Sequence, residues 1–279
     1  MLSSLIIVFR EVIEAGLIVG IVLAATQGVS RRGLWVAAGI VGGVAGACLV
    51  AGFAGELANL FEGSGQELFN ATVLFLAVGM LTWHNVWMAG HGREMAREMR
   101  AMGAEVSAGR RTLAAMAIVV GVAVLREGSE VVLFLYGIAA QGGTTTASML
   151  AGGTLGLAAG AAVSALMYFG LLTIPAHRLF AVTGWLITLL AAGMASQGVL
   201  FLQNAGYLQF GMMPLWDTSW LLSDGSIPGR LLHTLIGYTD QPDAVQLGAY
   251  ALTIAVIVTL MRLVNPPRRR PVAAVAPAE

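Results

Sequence analysis

Phe9-Arg10-Glu11-Val12-Ile13-Glu14-Ala15-Gly16 sets one arginine and two glutamates inside an otherwise apolar run from Leu5 to Ala25. Leu125-Arg126-Glu127-Gly128-Ser129-Glu130 repeats the arrangement within the apolar run from Leu113 to Ala140. Both read Arg-Glu-x-x-Glu. On a helix, residues three and four apart share a face. Glu11 and Glu14 therefore point the same way, with Arg10 one turn from Glu14, and Arg126, Glu127 and Glu130 repeat that geometry. Charged side chains at membrane depth are costly and mark an ion or substrate path.

Composition makes these runs membrane spans. Hydrophobic residues form 57% of the 279 and charged residues only 11%, where a soluble domain carries about a quarter charged. The chain reads as an all-α integral membrane protein. Its single cysteine, Cys48, has no partner for an intrachain disulfide. Many of the 36 glycines lie inside apolar runs, as do Gly39, Gly42, Gly43 and Gly46, a spacing that lets membrane helices approach closely. All fifteen basic residues are arginine. The first residues lack a basic region and a small-residue cleavage site, so no removable signal peptide is expected.

Seven stretches reach the roughly 20 apolar residues that a crossing needs. They lie near 3–27, 34–60, 67–89, 112–140, 147–172, 178–202 and 245–264. Together they predict one membrane domain over 1–264, followed by a disordered Pro/Ala/Arg-rich tail over 265–279. The connections sort by charge. Arg31 and Arg32, the segment from Gly92 to Arg111, Arg178 and Arg268 to Arg270 fall on one side. Glu56, Glu62, Glu67, Asp217, Asp224, Asp240 and Asp243 fall on the other, with Arg230 as its only base. Positive-inside bias then places the N-terminus outside and the C-terminus inside. An acidic outer face raises the local concentration of cations, although the sorting rule alone also strips bases from that face.

The segment from Gly92 to Gly109 reads as a short cytoplasmic helix, solvated or interfacial, because Arg93, Glu94, Arg97, Glu98 and Arg100 make opposite-charge pairs three and four apart. The long connection over 204–246 carries Tyr207, Trp216, Trp220 and Tyr238. These fit aromatic anchoring at the outer surface, with room for an interfacial helix.

The motif helices are the first and fourth spans. Equivalent points are three crossings apart, so the two copies run in opposite directions. This predicts an inverted 3+3 repeat, about 3–90 and about 112–202, with the seventh helix over 245–264 added. A weaker echo relates Leu76-Ala77-Val78-Gly79-Met80 to Leu190-Ala191-Ala192-Gly193-Met194. Inverted repeats are a common plan of secondary transporters, whose substrate site lies near midplane at the repeat interface. At 1.5 Å per residue the first motif lies about 10 to 17 Å along its helix, at such a depth.

Four carboxylates and two arginines leave a formal charge of minus two. An oxygen-only site suits hard cations such as iron(III), manganese, magnesium and calcium. No Cys/His cluster accompanies it, which disfavours zinc and copper(I). A structural set of charge pairs and a proton relay are the alternatives. His84 and Asn85 in the third span, and Ser196 and Gln197 in the sixth, are candidates to line the path; interhelical hydrogen bonding is their competing role. Met80 and Met194 offer thioethers or fill the core. Trp83 and Trp87 read as interfacial anchors. His233 has no spacing that makes a metal site by itself. No Gly-x-x-x-x-Gly-Lys motif points to ATP hydrolysis. The bilayer is the expected surrounding, and no nucleic-acid partner is indicated.

Two Arg-Glu-x-x-Glu helices, first and fourth of seven, together with the Gly-Met-Ala-Ser-Gln-Gly run at Gly193 to Gly198, resemble the oxidase-dependent iron permease family of fungi and bacteria. The resemblance covers the membrane domain from Leu2 to about Leu263. It implies a permease rather than an enzyme, carrying iron(III) inward across a bacterial inner membrane without a permanent cofactor. By position, Glu11, Glu14, Glu127 and Glu130 would ligate the iron, and Arg10 and Arg126 would hold the carboxylates and temper their charge. It also implies an iron-oxidising partner: a multicopper oxidase in fungi, or copper- or haem-containing periplasmic proteins in bacteria. Two departures stand out. The motifs carry Val12-Ile13 and Gly128-Ser129 where the family often has Gly-Leu. The outer aspartates Asp217, Asp224, Asp240 and Asp243 are scattered, whereas the fungal proteins have a compact acidic motif. Two alternatives stay open: an importer of divalent iron, manganese or lead on the same scaffold, and a membrane protein that uses the carboxylates as a non-transporting metal site.

Overall fold

The computed structural model describes residues 1–59, 66–140, 144–170 and 176–264. The described residues form eight helices: α1 (Leu2–Ala25), α2 (Arg32–Asn59), α3 (Gln66–Ser107), α4 (Leu113–Ala140), α5 (Thr146–Tyr168), α6 (Ala176–Asn204), α7 (Ile227–Ile236) and α8 (Ala244–Val264). All but α7 overlap the seven apolar stretches. Five contain segments long and apolar enough to cross a membrane: Arg32–Phe53, Gln66–Met88, Thr146–Tyr168, Ala181–Asn204 and Ala244–Val264. The other two, α1 and α4, have 24 and 28 residues and carry the motif charges. The protein is an all-α, multi-pass membrane protein.

The segment from Gly92 to Gly109 is not a separate helix. It continues α3 to Ser107, making 42 residues in all, or about 63 Å at 1.5 Å per residue. No proline interrupts the run. Its apolar face is docked rather than solvated: Met102 and Val106 are buried in a cluster with Val22, Val36, Met116 and Val120, with Met99 packed against it. The Ser107 hydroxyl donates to the Ala25 carbonyl at 2.9 Å. The tail over 265–279, Glu62 and the placement of the Glu56 and Arg230 side chains lie outside the described residues.

Two helix pairs dominate the packing. α1 lies along α5, and α4 lies along α2 to the same extent, while α3 lies along α6. In both main pairs glycines bring one backbone onto another. A β-carbon at Gly39 or Gly43 of α2 would lie 2.5 Å or 2.6 Å from the Ala117 or Gly121 carbonyl oxygen of α4. On α5, Gly152 and Gly156 face the Met1 and Leu5 carbonyls of α1. In lipid, where burial of apolar surface supplies no drive between helices, such close approach is what holds them. The contacts correspond position by position. Met1 and Leu5 are as far in sequence from Ala117 and Gly121 as Arg10 is from Arg126, and Gly39 and Gly43 are equally spaced from Gly152 and Gly156.

The apolar core lies between α1, α3, α4, α6 and α8, around Ile7, Leu74, Leu81, Phe134, Ile187 and Ile257. Within the connection before α8, α7 starts at Ser226, whose hydroxyl accepts from the Gly229 N–H, and stops at Gly237 in the left-handed region (φ 70°). The Gly237 backbone packs directly on Gly193 of α6, which gives the Gly193 to Gly198 run a packing role. The Tyr250 hydroxyl ties the Ile236 carbonyl to α8 at 2.6 Å.

Candidate metal centre

The two motifs meet where α1, α3 and α4 contact one another. Arg10 is only 3% exposed, and its Nη1 donates to Glu11 Oε1 at 3.2 Å. Its Nε lies 2.9 Å from Glu14 Oε1, the one-turn spacing expected on a helix. The second motif is built differently. Arg126 is 36% exposed and its Nε donates to Glu130 Oε1 at 3.1 Å. Its guanidinium carbon also sits 4.2 Å from the centre of the Trp87 ring. None of the ion pairs among the described residues involves Glu127.

α3 contributes what neither motif has, an imidazole. His84 is buried, with Nδ1 against the Glu130 carboxylate and Nε2 3.4 Å from Glu14 Oε2 and 3.9 Å from Glu11 Oε2. Phe134 closes over it edge-on, ring centroids 6.4 Å apart. One ligand atom each from Glu11, His84, Glu127 and Glu130 lies within 4.8 Å of all the others. Glu11 Oε2 and Glu127 Oε2 are buried with no hydrogen-bond partner among the described residues. Buried polar atoms without partners are rare and need an occupant or a function. Three carboxylates and an imidazole converging in the interior make a mixed oxygen and nitrogen donor set suited to first-row metals.

This set differs from the expected four glutamates. His84 belongs to it, and Glu14 stands beside it, turned onto Arg10. The sequence offered His84 as a neutral ligand lining the path, with interhelical hydrogen bonding as its favoured role. Its lone position on a third helix gives no spacing signal, and only tertiary packing brings it to the motifs.

The other candidates separate clearly. Asn85 makes the interhelical hydrogen bonds that were its competing role: its amide donates to the Gly184 carbonyl and to the Thr188 hydroxyl, both at 3.0 Å, fastening α3 to α6. Met194 is fully buried in the core, its methyl against Gly137. Ser196 and Gln197 are half-buried on α6 and stand outside the ligand cluster. Met80 does border the site. With Gly79, Trp83, His84 and Glu130 it lines a small cavity of about 190 Å³. On the opposite side, an apolar cavity of about 1010 Å³ between the α1–α5 and α2–α4 pairs reaches Glu11 and Glu127. Each arginine therefore has a carboxylate partner, and the cluster is flanked by two cavities.

The aspartates of the connection before α8 are tied into local structure. Asp217 accepts from the Ser219 N–H at 2.8 Å, and the Ser219 hydroxyl, together with that N–H, holds its carboxyl below the usual range. Asp243 accepts from the N–H groups of Val245 and Gln246, both at 2.8 Å, at the start of α8. Asp240 accepts from the Asp224 N–H at 3.1 Å. Burial pushes the Asp224 carboxyl upward.

Comparison with known proteins places these features in a family context. The model of the Iron permease FTR1 family matches residues 1–265. A protein described as ferrous iron permease EfeU from Escherichia coli O6:H1 is 30% identical over 272 residues, covering 96% of this chain and 97% of that protein. Ferrous iron permease EfeU of Yersinia pestis is 30% identical over 282 residues, covering 100% of this chain and 98% of that protein. No solved structure matches.

Proposed function

The chain belongs to the iron permease FTR1 family, and we propose that it carries iron inward across a bacterial inner membrane through the cluster of Glu11, His84, Glu127 and Glu130. The observation that carries this reading is the convergence of those four donors, from three helices and both motifs, within 4.8 Å. A buried group of carboxylates with net negative charge is stable only with a compensating cation or protons, and iron supplies the cation. Glu14 is the fourth glutamate of this mechanism. Arg10 holds it 3.4 Å from His84 Nε2, where it can exchange with Glu11 as the ion passes.

The architecture in this reading is an inverted 3+3 repeat with seven spans, N-terminus outside and C-terminus in the cytoplasm. Its support is the reciprocal pairing of α1 with α5 and α4 with α2, with the same glycine-to-carbonyl contacts in both pairs. Motion of one pair against the other would expose the cluster to each side in turn, as in other inverted-repeat transporters.

The cargo in this reading is iron(III), generated from iron(II) by a copper- or haem-containing partner at the outer face and taken up before it hydrolyses. Three carboxylates favour that hard ion. A second reading, direct transport of iron(II), is favoured by one observation: His84 adds a nitrogen donor that suits the softer ferrous ion. Relatives in E. coli and Y. pestis carry the description ferrous iron permease. The test is uptake into vesicles containing the purified protein, with iron(II), with chelated soluble iron(III), and with iron(II) plus an oxidising protein. Uptake that needs iron(III) or coupled oxidation supports the first reading; uptake of iron(II) alone under reducing conditions supports the second. No iron uptake in any arm would overturn both.

A further inference from the structure

The two motifs share a sequence but not a set of partners. Arg10 engages both of its carboxylates, Glu11 at 3.2 Å and Glu14 at 2.9 Å. Among the described residues, Arg126 forms an ion pair with Glu130 alone. The place of the second carboxylate is taken by the Trp87 ring, 4.2 Å from the guanidinium carbon. Guanidinium groups stack favourably on indole faces, which hold them by the negative ring face without a formal charge. Trp87 is itself held. His91 stacks on it with ring centroids 5.3 Å apart and planes 10° from parallel, and His91 Nδ1 lies 3.2 Å from the Trp87 carbonyl oxygen.

The pseudo-equivalent position sharpens the contrast. The echo that aligns Met80 with Met194 aligns Trp87 with Phe201. Phe201 packs against the apolar core, and Arg10 is left to its two carboxylates. Where the aromatic reaches the arginine, the glutamate next in sequence is released.

We infer that Trp87 is a positioning residue for the iron site: by holding Arg126 away from Glu127 it leaves the Glu127 carboxylate free to bind the ion. This rests on the reading of Glu11, His84, Glu127 and Glu130 as the iron site, and it adds a residue that is not one of those donors. Without the indole, Arg126 has a neighbouring carboxylate to fall onto, as Arg10 does with Glu11. The second motif would then resemble the first, with Glu127 neutralised and the donor set reduced by one.

The experiment measures iron(II) binding under anaerobic conditions by purified full-length protein, alongside iron uptake in vesicles. The variants are Trp87→Phe, Trp87→Leu, Arg126→Gln and the double variant Trp87→Leu with Arg126→Gln. Partners that orient ligands typically contribute about 10–100-fold to metal affinity, and Trp87→Leu is expected to weaken iron binding by that factor. Trp87→Phe keeps an aromatic face and should stay within a few-fold of wild type, by the same scale. The decisive arm is the double variant. With no arginine to collapse onto Glu127, it should bind iron more tightly than Trp87→Leu alone. A purely structural role for Trp87 predicts no such recovery, and its absence would overturn the inference, as would wild-type affinity in Trp87→Leu. Wild-type protein that bound no iron would instead overturn the site itself.

Discussion

His84 Nε2 lies 3.4 Å from Glu14 Oε2, and through that contact a side chain of α3 joins a motif carried by α1. On its other nitrogen the same imidazole meets Glu130 of α4. One residue thus links two segments that are more than a hundred positions apart in sequence. Its removal should be felt at both. His84→Ala is expected to lower iron affinity by at least the factor seen for orienting partners, about 10–100-fold, with the protein still inserted. Iron titration of the purified variant checks this, and unchanged affinity would remove His84 from the donor set.

The two arginines should differ in their importance for stability. Arg10 is 3% exposed and bridges two buried carboxylates, whereas Arg126 is 36% exposed. Removing one partner of a buried ionic group costs about 3–5 kcal/mol, and exposed pairs are worth about 0–1 kcal/mol. Arg10→Gln should therefore lower the thermal midpoint in detergent well below that of Arg126→Gln. Equal midpoints would contradict the assigned burial.

Helix contact through glycine gives a third contrast. A β-carbon at Gly43 would stand 2.6 Å from the Gly121 carbonyl oxygen, while one at Gly42 would meet nothing within 4 Å. Gly43→Val should push α2 off α4 and reduce the folded yield, with an overpacking cost of about 1–3 kcal/mol or more. Gly42→Ala should be tolerated. Size-exclusion profiles of the two variants in detergent test the pair, and similar profiles would count against the close α2–α4 contact.

How much of this was legible beforehand follows from what each feature depends on. The motifs stood out because charge inside an apolar run is a high-contrast signal, and helix geometry alone placed Glu11 with Glu14 and Glu127 with Glu130. The membrane class followed from composition in the same way. His84 did not stand out, since a lone histidine has no periodic partner and its role depends on which helices pack together. The stacking of Trp87 on Arg126 was hidden for the same reason: near a span end an indole reads as an interfacial anchor, and the sequence does not show which arginine packs against it. The continuation of α3 was in fact visible. Met99, Met102 and Val106 recur at three and four positions, marking an apolar face, but the charges between them drew the reading toward a solvated helix.

The central claim is that one ion site is shared by both motifs. Its most direct test is uptake of radioactive iron into vesicles holding equal amounts of wild-type protein, Glu11→Gln or Glu127→Gln, one donor from each motif. Both substitutions keep side-chain size and remove a charge. Each substitution alone is expected to abolish uptake while the protein remains folded and inserted. Wild-type uptake by either variant would mean that the motifs do not form one site.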